Sequence, residues 1–114
     1  MELMPNDERS FIESWRAELA RCKSNGPIAI WGAGAKGVTF ANAIDPNCDT
    51  ASCVLDINPA KHNKFIPVTA HPVLSADAVS KQRIGTIVIM NPNYKAEIEA
   101  HLRRVSASVA LMQA

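Results

Sequence analysis

The sequence predicts an α/β fold, a three-layer Rossmann-like domain in which helices cover both faces of a parallel sheet of about five strands. Short apolar runs of strand length alternate with helical patterns, and the loops between them are short. The first apolar run, at 28–31, passes directly into a Gly-x-Gly-x-x-Gly turn and then a helical pattern, which is the layout of a nucleotide-binding turn. Right-handed crossovers favour the strand order 3-2-1-4-5, numbered along the chain.

Size, charge and cysteine content exclude several classes of protein. The 114 residues suffice for one hydrophobic core, and a composition of 47% hydrophobic and 20% charged residues indicates a folded chain. The net charge of +1 gives no strong positive electrostatic potential that would attract nucleic acid. No segment has the length of a membrane span or the features of a signal peptide, so we expect a cytoplasmic protein. Three cysteines without metal-ligand spacing predict neither a disulfide framework nor a metal site.

The first 25 residues are predicted to form a linker-like amphipathic helix, and 26–114 the Rossmann-like unit. An apolar stripe with helical spacing runs through 7–24, and Asn25-Gly26-Pro27 ends the pattern. The stripe comprises Phe11, Ile12, Trp15, Leu19 and Cys22. It is suited to docking on the sheet, on another domain or on a second copy of the chain, and the sequence does not decide between these.

Each later element follows from its local pattern. β-branched and apolar runs predict strands, and patterns of helical period predict helices between them. The segment 57–72 holds three prolines, so we expect a turn and extended chain there rather than a helix. The predicted elements are strands at 28–31, 52–56, 73–74, 86–90 and 107–112, and helices at 35–44, 76–82 and 94–104.

The glycine turn is the candidate binding site because each of its glycines has a separate physical role. Gly32 allows the backbone to turn sharply off the strand, Gly34 allows a phosphate to approach the main chain, and Gly37 allows the helix to lie close to the sheet. Free N–H groups at the helix start favour an anion, and Lys36 adds a positive charge there. The alternative is a turn that permits tight packing and binds nothing. The candidate ligand-binding residues of the turn are Gly32, Ala33, Gly34, Ala35, Lys36 and Gly37.

Polar residues at the ends of two other strands complete the candidate site. Asp56 ends the next predicted strand, 24 positions after Gly32, where a ribose-binding acid belongs. It is equally suited to capping the turn that follows it. Asn91 and Asn93 follow the strand at 86–90, and the carboxyl ends of parallel strands are where such sheets bind ligands. Asn93 is also placed to cap the next helix, the role that we favour for it.

No catalytic set accompanies the turn. His62, His71 and His101 lie in separate segments, and none has an evident carboxylate or cysteine partner. The sequence therefore predicts no catalytic residue.

These residues together resemble the C-terminal domain of the SAM-dependent sugar C-methyltransferases. The resemblance covers about 26–102 and departs from the family pattern at Val38 and Pro92. The matching residues are Gly32-Ala33-Gly34-Ala35-Lys36-Gly37-Val38-Thr39, then Asp56-Ile57-Asn58-Pro59-Ala60-Lys61, then Lys64-Phe65-Ile66-Pro67, then Asn93, Glu97 and Ile98.

The resemblance implies a non-catalytic domain that holds a nucleotide or nucleotide-sugar. Methyl transfer, and with it SAM, would belong to a catalytic domain or subunit that acts as its partner. Two alternatives stay open. One is the NAD-binding module of an oxidoreductase, which the glycine spacing and Asp56 fit. The other is a structural or interaction module with an empty turn, in which the helix at 7–24 forms a homodimer contact.

Overall fold

A six-stranded sheet forms the centre of the protein. The computed structural model describes residues 6–105 and 108–114. The central strand, β1, is buried on both faces, as its apolar sequence requires. The sheet has the order β3-β4-β2-β1-β5-β6, and β3 alone runs antiparallel to its neighbour. The strands are β1 (Ile28–Trp31), β2 (Ala51–Leu55), β3 (Lys64–Phe65), β4 (Pro72–Leu74), β5 (Thr86–Ile89) and β6 (Ala110–Gln113).

The Rossmann-like α/β fold is confirmed, and the strand order differs from the prediction in detail. The five parallel strands stand in the predicted order, but β3 adds a sixth strand at the edge, where the sequence predicted only extended chain. A tight hairpin places it there. The N–H of Ile66 donates to the carbonyl of His71 at 2.8 Å, and the N–H of Ala70 donates to the carbonyl of Ile66 at 2.9 Å. A two-residue strand is too short for its alternation to be read from sequence.

Helices cover both faces of the sheet. They are α1 (Asn6–Cys22), α2 (Ala35–Ile44), α3 (Ala78–Lys81) and α4 (Lys95–Arg104), and their bounds lie within a few residues of the predicted ones. Side chains of α1 and α2 pack with Ile28 and Ile30 on one face, whereas α3 and α4 pack with Ala29 and Trp31 on the other. In the described ranges, no helix is long and apolar enough to cross a membrane.

The first helix docks on the sheet of its own chain, which the sequence had left open. Leu19 of α1 is fully buried in the core shared with α2, and Trp15 meets the ring of Phe40 edge-on at 5.2 Å. The first aromatic residue of the predicted stripe departs from this pattern, because Phe11 remains 49% exposed. One end of the α1–α2 face therefore carries an uncovered aromatic ring.

A buried polar network ties α2, β2 and the β3–β4 hairpin together. The carboxylate of Asp45, at the end of α2, accepts hydrogen bonds from the backbone N–H groups of Asp49, Thr50 and Ala51. It also contacts Nε2 of the fully buried His71 at 2.8 Å. Burial of Asp45 raises the pKa of its carboxyl, but the donors from Ala51, His71, Asp49 and Thr50 together hold that pKa below its ordinary value of 3.8.

This network corrects the expectation that no histidine has a carboxylate partner. His71 meets Asp45 across 26 positions of sequence, and its other ring nitrogen lies 2.6 Å from the hydroxyl of Thr69. All three side chains are buried, so the arrangement fixes the hairpin rather than presenting a general base to a substrate.

One buried polar atom stands outside this pattern of satisfied groups. Thr86 lies at the start of β5 and is fully buried. Its hydroxyl is the one buried side-chain oxygen or nitrogen without a hydrogen-bond partner among the residues that the structure describes. An unpartnered buried hydroxyl opposes folding, because the group loses its bonds to water.

We expect the stability of the protein to fall as the pH drops below 3.8. The pKa of Asp45 is lowered on folding, so its contribution is complete above the ordinary value and is lost as the carboxylate takes up a proton. Urea unfolding between pH 7 and pH 3 measures the effect. The variant Asp45→Asn should be less stable at pH 7 and show a weaker pH dependence. An identical pH profile for variant and native protein would contradict this role.

The substitution Thr86→Val should stabilise the protein by about 1 kcal/mol, because it keeps the branched shape and removes the unpartnered hydroxyl. Thermal or urea unfolding measures the change. Thr50→Val is the matched control, since Thr50 is only partly buried and lies in a loop. A destabilised Thr86→Val protein would show that the hydroxyl has a bonding role.

Candidate functional site

The glycine turn lies at the carboxyl end of the central strand. Gly32 follows β1 directly, and its N–H donates to the carbonyl of Leu55 in β2 at 2.7 Å. Its φ of 112° is one that a residue with a side chain rarely adopts. Gly32 is therefore required by the path of the chain as it leaves the sheet.

Gly37 is also required by packing, whereas Gly34 is not. A Cβ on Gly37 would lie 1.9 Å from the carbonyl oxygen of Gly32, so only glycine allows α2 to lie this close to the turn. Gly34 has a φ of −81° and a ψ of −169°, an extended conformation open to any residue. A Cβ there would meet no atom within 4 Å. Neither backbone angle nor packing against the described residues therefore requires a glycine at this position.

The start of α2 carries no side-chain cap. Gly34 is its N-cap residue and has no side chain with which to accept a hydrogen bond. The first helical bond runs from the N–H of Val38 to the carbonyl of Gly34 at 3.0 Å, so the preceding N–H groups have no partner within the helix. Lys36 is exposed in this first turn. The helix start thus presents N–H donors and a cation.

Asp56 joins the turn to the end of β2. One carboxylate oxygen accepts the N–H of Ala33 at 2.8 Å, and the other accepts the N–H of Asn58 at 2.8 Å. The sequence left ribose contact and capping of the next turn open. The structure places Asp56 in a capping bond to Asn58 and in a second bond, which the sequence did not predict, to the glycine turn itself.

Lys61 reaches the turn from the same side. Its ammonium donates to the carbonyl of Ala33 at 3.3 Å, so both polar groups of the Ala33 backbone are engaged by side chains from the segment after β2. His62 contacts the carbonyl of Asp56 at 2.5 Å and braces the same segment. Charged groups of the chain therefore line the β2 side of the turn.

Tyr94 lies beside the turn on its β5 side. The ring of Tyr94 lies 3.6 Å from where a Cβ of Gly32 would stand. Asn91 accepts the N–H of Asn93 through its side chain at 2.9 Å and so caps the short 3-10 turn Pro92–Tyr94. The expectation that Asn93 caps the helix is wrong, because Asn91 performs the capping and Tyr94 precedes α4 without a side-chain cap.

A cavity of about 540 Å³ adjoins the turn on the face that carries α1 and α2. Ala35 and Lys36 of the glycine turn form part of its wall, and Phe11, Phe40 and Met90 supply apolar surface. Its volume lies within the range of small-molecule sites. The sequence does not predict the cavity, because its walls come from segments far apart in the chain. Phe11 and Ile12 of the predicted apolar stripe belong to these walls.

The structure thus brings together part of the predicted set. Asp56 contacts the turn 32–37, whereas Asn91 accepts the N–H of Asn93 on its side chain and the N–H of Tyr94 on its carbonyl. Lys61 and Tyr94 join the site instead. The signal for both was their place just after the carboxyl ends of parallel strands.

Similar solved structures are Rex-family repressors. One, RSP, matches with a TM-score of 0.57 at 11% identity, over 100% of this chain and 88% of that one. RSP in complex with β-NADH matches with a TM-score of 0.55 at 16% identity, over 90% of this chain and 61% of that one. RSP in complex with β-NAD+ and operator DNA matches with a TM-score of 0.55 at 11% identity, over 100% and 88% of the two chains. Identities this low show a shared Rossmann-like fold alone.

The sequence of the chain gives the more specific result. A search of curated proteins found no match. A family model, described as the C-methyltransferase C-terminal domain, matches residues 8–110 and so takes in the glycine turn, the Asp56 segment and α1. Because that match spans nearly the whole chain, the resemblance predicted from the turn and its companions is confirmed, and this chain belongs to the family of C-methyltransferase C-terminal domains.

Proposed function

We propose that this chain is a non-catalytic accessory domain that holds a nucleotide or nucleotide-sugar at the turn 32–37 for a methyltransferase. Family membership supports the link to methyl transfer. In this proposal SAM and the methyl-transfer chemistry belong to a catalytic domain or subunit that acts as the partner. This chain provides the binding site for the nucleotide part of the substrate.

The single observation that carries the proposal is the glycine at position 34. Gly32 and Gly37 have structural reasons, whereas the backbone angles and open surroundings of Gly34 permit any side chain. Ser, Asp or Asn at a helix N-cap is more stable than Gly by about a few tenths of a kcal/mol, so capping tolerates Gly34 without requiring it. A glycine in this place leaves the main chain open to close approach, which is what a phosphate group needs.

The charges at the turn suit an anionic ligand. The N-terminal end of α2 carries unpaired N–H groups and the positive end of the helix dipole, worth roughly 0.3–1 kcal/mol for one negative charge. The ammonium of Lys36 stands exposed in the same helical turn. Both features support binding of a phosphate group of the ligand.

The described side chains offer no nucleophile and general base in contact at the turn. The Asp45–His71–Thr69 group is buried, and His62 and His101 each contact a backbone carbonyl. Binding without catalysis is therefore the function that the site supports best.

NAD binding is the second candidate, favoured by the fold shared with a repressor solved in complex with β-NADH. The hydrogen bonds of Asp56, the residue at the position of a ribose-binding acid, argue against NAD. Both of its oxygens already accept backbone N–H groups of this chain. These two hydrogen bonds leave the carboxylate of Asp56 with fewer lone pairs to accept a hydroxyl of a ribose.

The variant Gly34→Val tests the turn. We expect the affinity for dTDP, or for a dTDP-sugar, to fall at least tenfold because the side chain blocks the diphosphate. The free energy of unfolding should fall by no more than about 1 kcal/mol, since Val lacks only the helix-capping preference of Gly. Titration followed by amide chemical shifts measures binding, and Lys36→Gln in the same titration measures the charge contribution.

Gly37→Ala is the structural control for this experiment. Its Cβ would collide with the carbonyl of Gly32, so this protein should lose clearly more stability than Gly34→Val. Shifts that lie away from 32–37, or NAD binding without any response to dTDP, would overturn the proposal.

The variant Asp56→Asn separates the two roles of the carboxylate. An amide has one accepting oxygen, so one of the two N–H groups must lose its bond, and we expect about 1–2 kcal/mol of destabilisation without any ligand. Asp77→Asn is the matched control, since Asp77 is exposed and makes no capping bond from its side chain. Unchanged stability with weakened nucleotide binding would instead identify Asp56 as a ligand contact.

A further inference from the structure

The cavity on the α1–α2 face has features of a ring-binding site. It holds about 540 Å³ and its wall is continuous with the glycine turn, because Ala35 and Lys36 belong to both. Phe11, Phe40 and Met90 give it an apolar surface. The last two are nearly buried, whereas Phe11 keeps 49% of its surface exposed on a helix that otherwise packs its apolar stripe.

The aromatic side chains of this face form a connected series. Phe11 meets Trp15 edge-on at 6.5 Å, and Trp15 meets Phe40 edge-on at 5.2 Å. The series positions the ring of Phe11 at the open end, and a planar ring with apolar faces gains from contact with such a side chain. Polar side chains at the cavity are few, among them the hydroxyl of Thr39 and the carboxylate of Glu8. A nucleobase fits this combination better than a sugar ring, which carries polar groups around its whole edge.

On the opposite side of the turn, the charged groups are engaged by the protein itself. Asp56 and Lys61 bind the N–H and the carbonyl of Ala33 there. In a Rossmann-like dinucleotide site, the acid at the end of the second strand marks the side of the ribose. In this chain that acid accepts two backbone N–H groups, and the cavity that adjoins the turn lies beside Ala35 and Lys36.

We infer that the cavity beside α2 is the base subsite of the ligand. The diphosphate lies at the Gly34 and Lys36 end, and the nucleobase extends towards Phe11, away from Asp56. This inference rests on the proposed nucleotide binding and adds the direction in which the ligand runs and the aromatic residue that receives its base.

Two exposed apolar residues on opposite sides of the turn supply the test. Phe11→Ala removes the ring from the cavity, and Ile57→Ala is the matched control, since Ile57 is 55% exposed and follows Asp56 directly. Both variants and the native protein are titrated with dTDP, thymidine and inorganic pyrophosphate. Unfolding in urea confirms that each variant is folded.

We expect Phe11→Ala to weaken dTDP binding by roughly tenfold, within the range seen when a base loses an aromatic partner, and to leave pyrophosphate binding unchanged. Ile57→Ala should bind all three probes as the native protein does. The reverse result, with dTDP weakened by Ile57→Ala alone, would place the base on the Asp56 side and overturn the inference.

The same data distinguish this inference from the proposed function. If pyrophosphate and dTDP bind and Gly34→Val abolishes both, but Phe11→Ala changes neither, nucleotide binding at the turn stands and the base subsite is wrong. If none of the three probes binds the native protein, the proposed function fails and the base subsite fails with it.

Discussion

The carboxylate of Asp56 is the contact on which the candidate site depends. By accepting the N–H groups of Ala33 and Asn58, it fixes the glycine turn to the segment that follows β2. Hydrogen bonds to a charged acceptor are stronger than neutral ones. Here one residue joins the two loops that follow the neighbouring parallel strands β1 and β2. Lys61 then binds the carbonyl of the same Ala33, so that the turn is held on both polar groups of one residue.

This use of Asp56 shows why a shared fold does not fix a shared ligand. The Rex-family repressor has the same Rossmann-like architecture at 11% identity, and one of its solved forms contains β-NADH. In the present chain, the acid that the dinucleotide motif assigns to a ribose accepts two backbone N–H groups of its own chain. The groups around the turn, and not the glycines alone, therefore bear on which ligand such a turn accepts.

The sequence predicted what local patterns encode and missed what distant residues build. The turn 32–37 sits inside a strand–turn–helix unit whose periodicities are readable, so its place and its strand neighbours were predicted. His71 and Asp45 lie 26 positions apart, and no local pattern links a loop histidine to a residue at the end of a helix. The sequence predicts Asn93 as the cap of the helix at 94–104, but a 3-10 turn capped by Asn91 precedes that helix, and such a turn depends on backbone angles that the sequence pattern does not give.

The three glycines of the turn show how far stability and binding are separated in this small domain. Gly32 adopts a φ that favours glycine, and Gly37 lies against the carbonyl of Gly32, so the fold itself requires both. Gly34 meets neither constraint, and a capping side chain in its place would strengthen the start of α2. A position that forgoes available stability without a packing reason is where function is expected to act. That argument needs no catalytic residue, and it is therefore compatible with the proposed binding role of the turn.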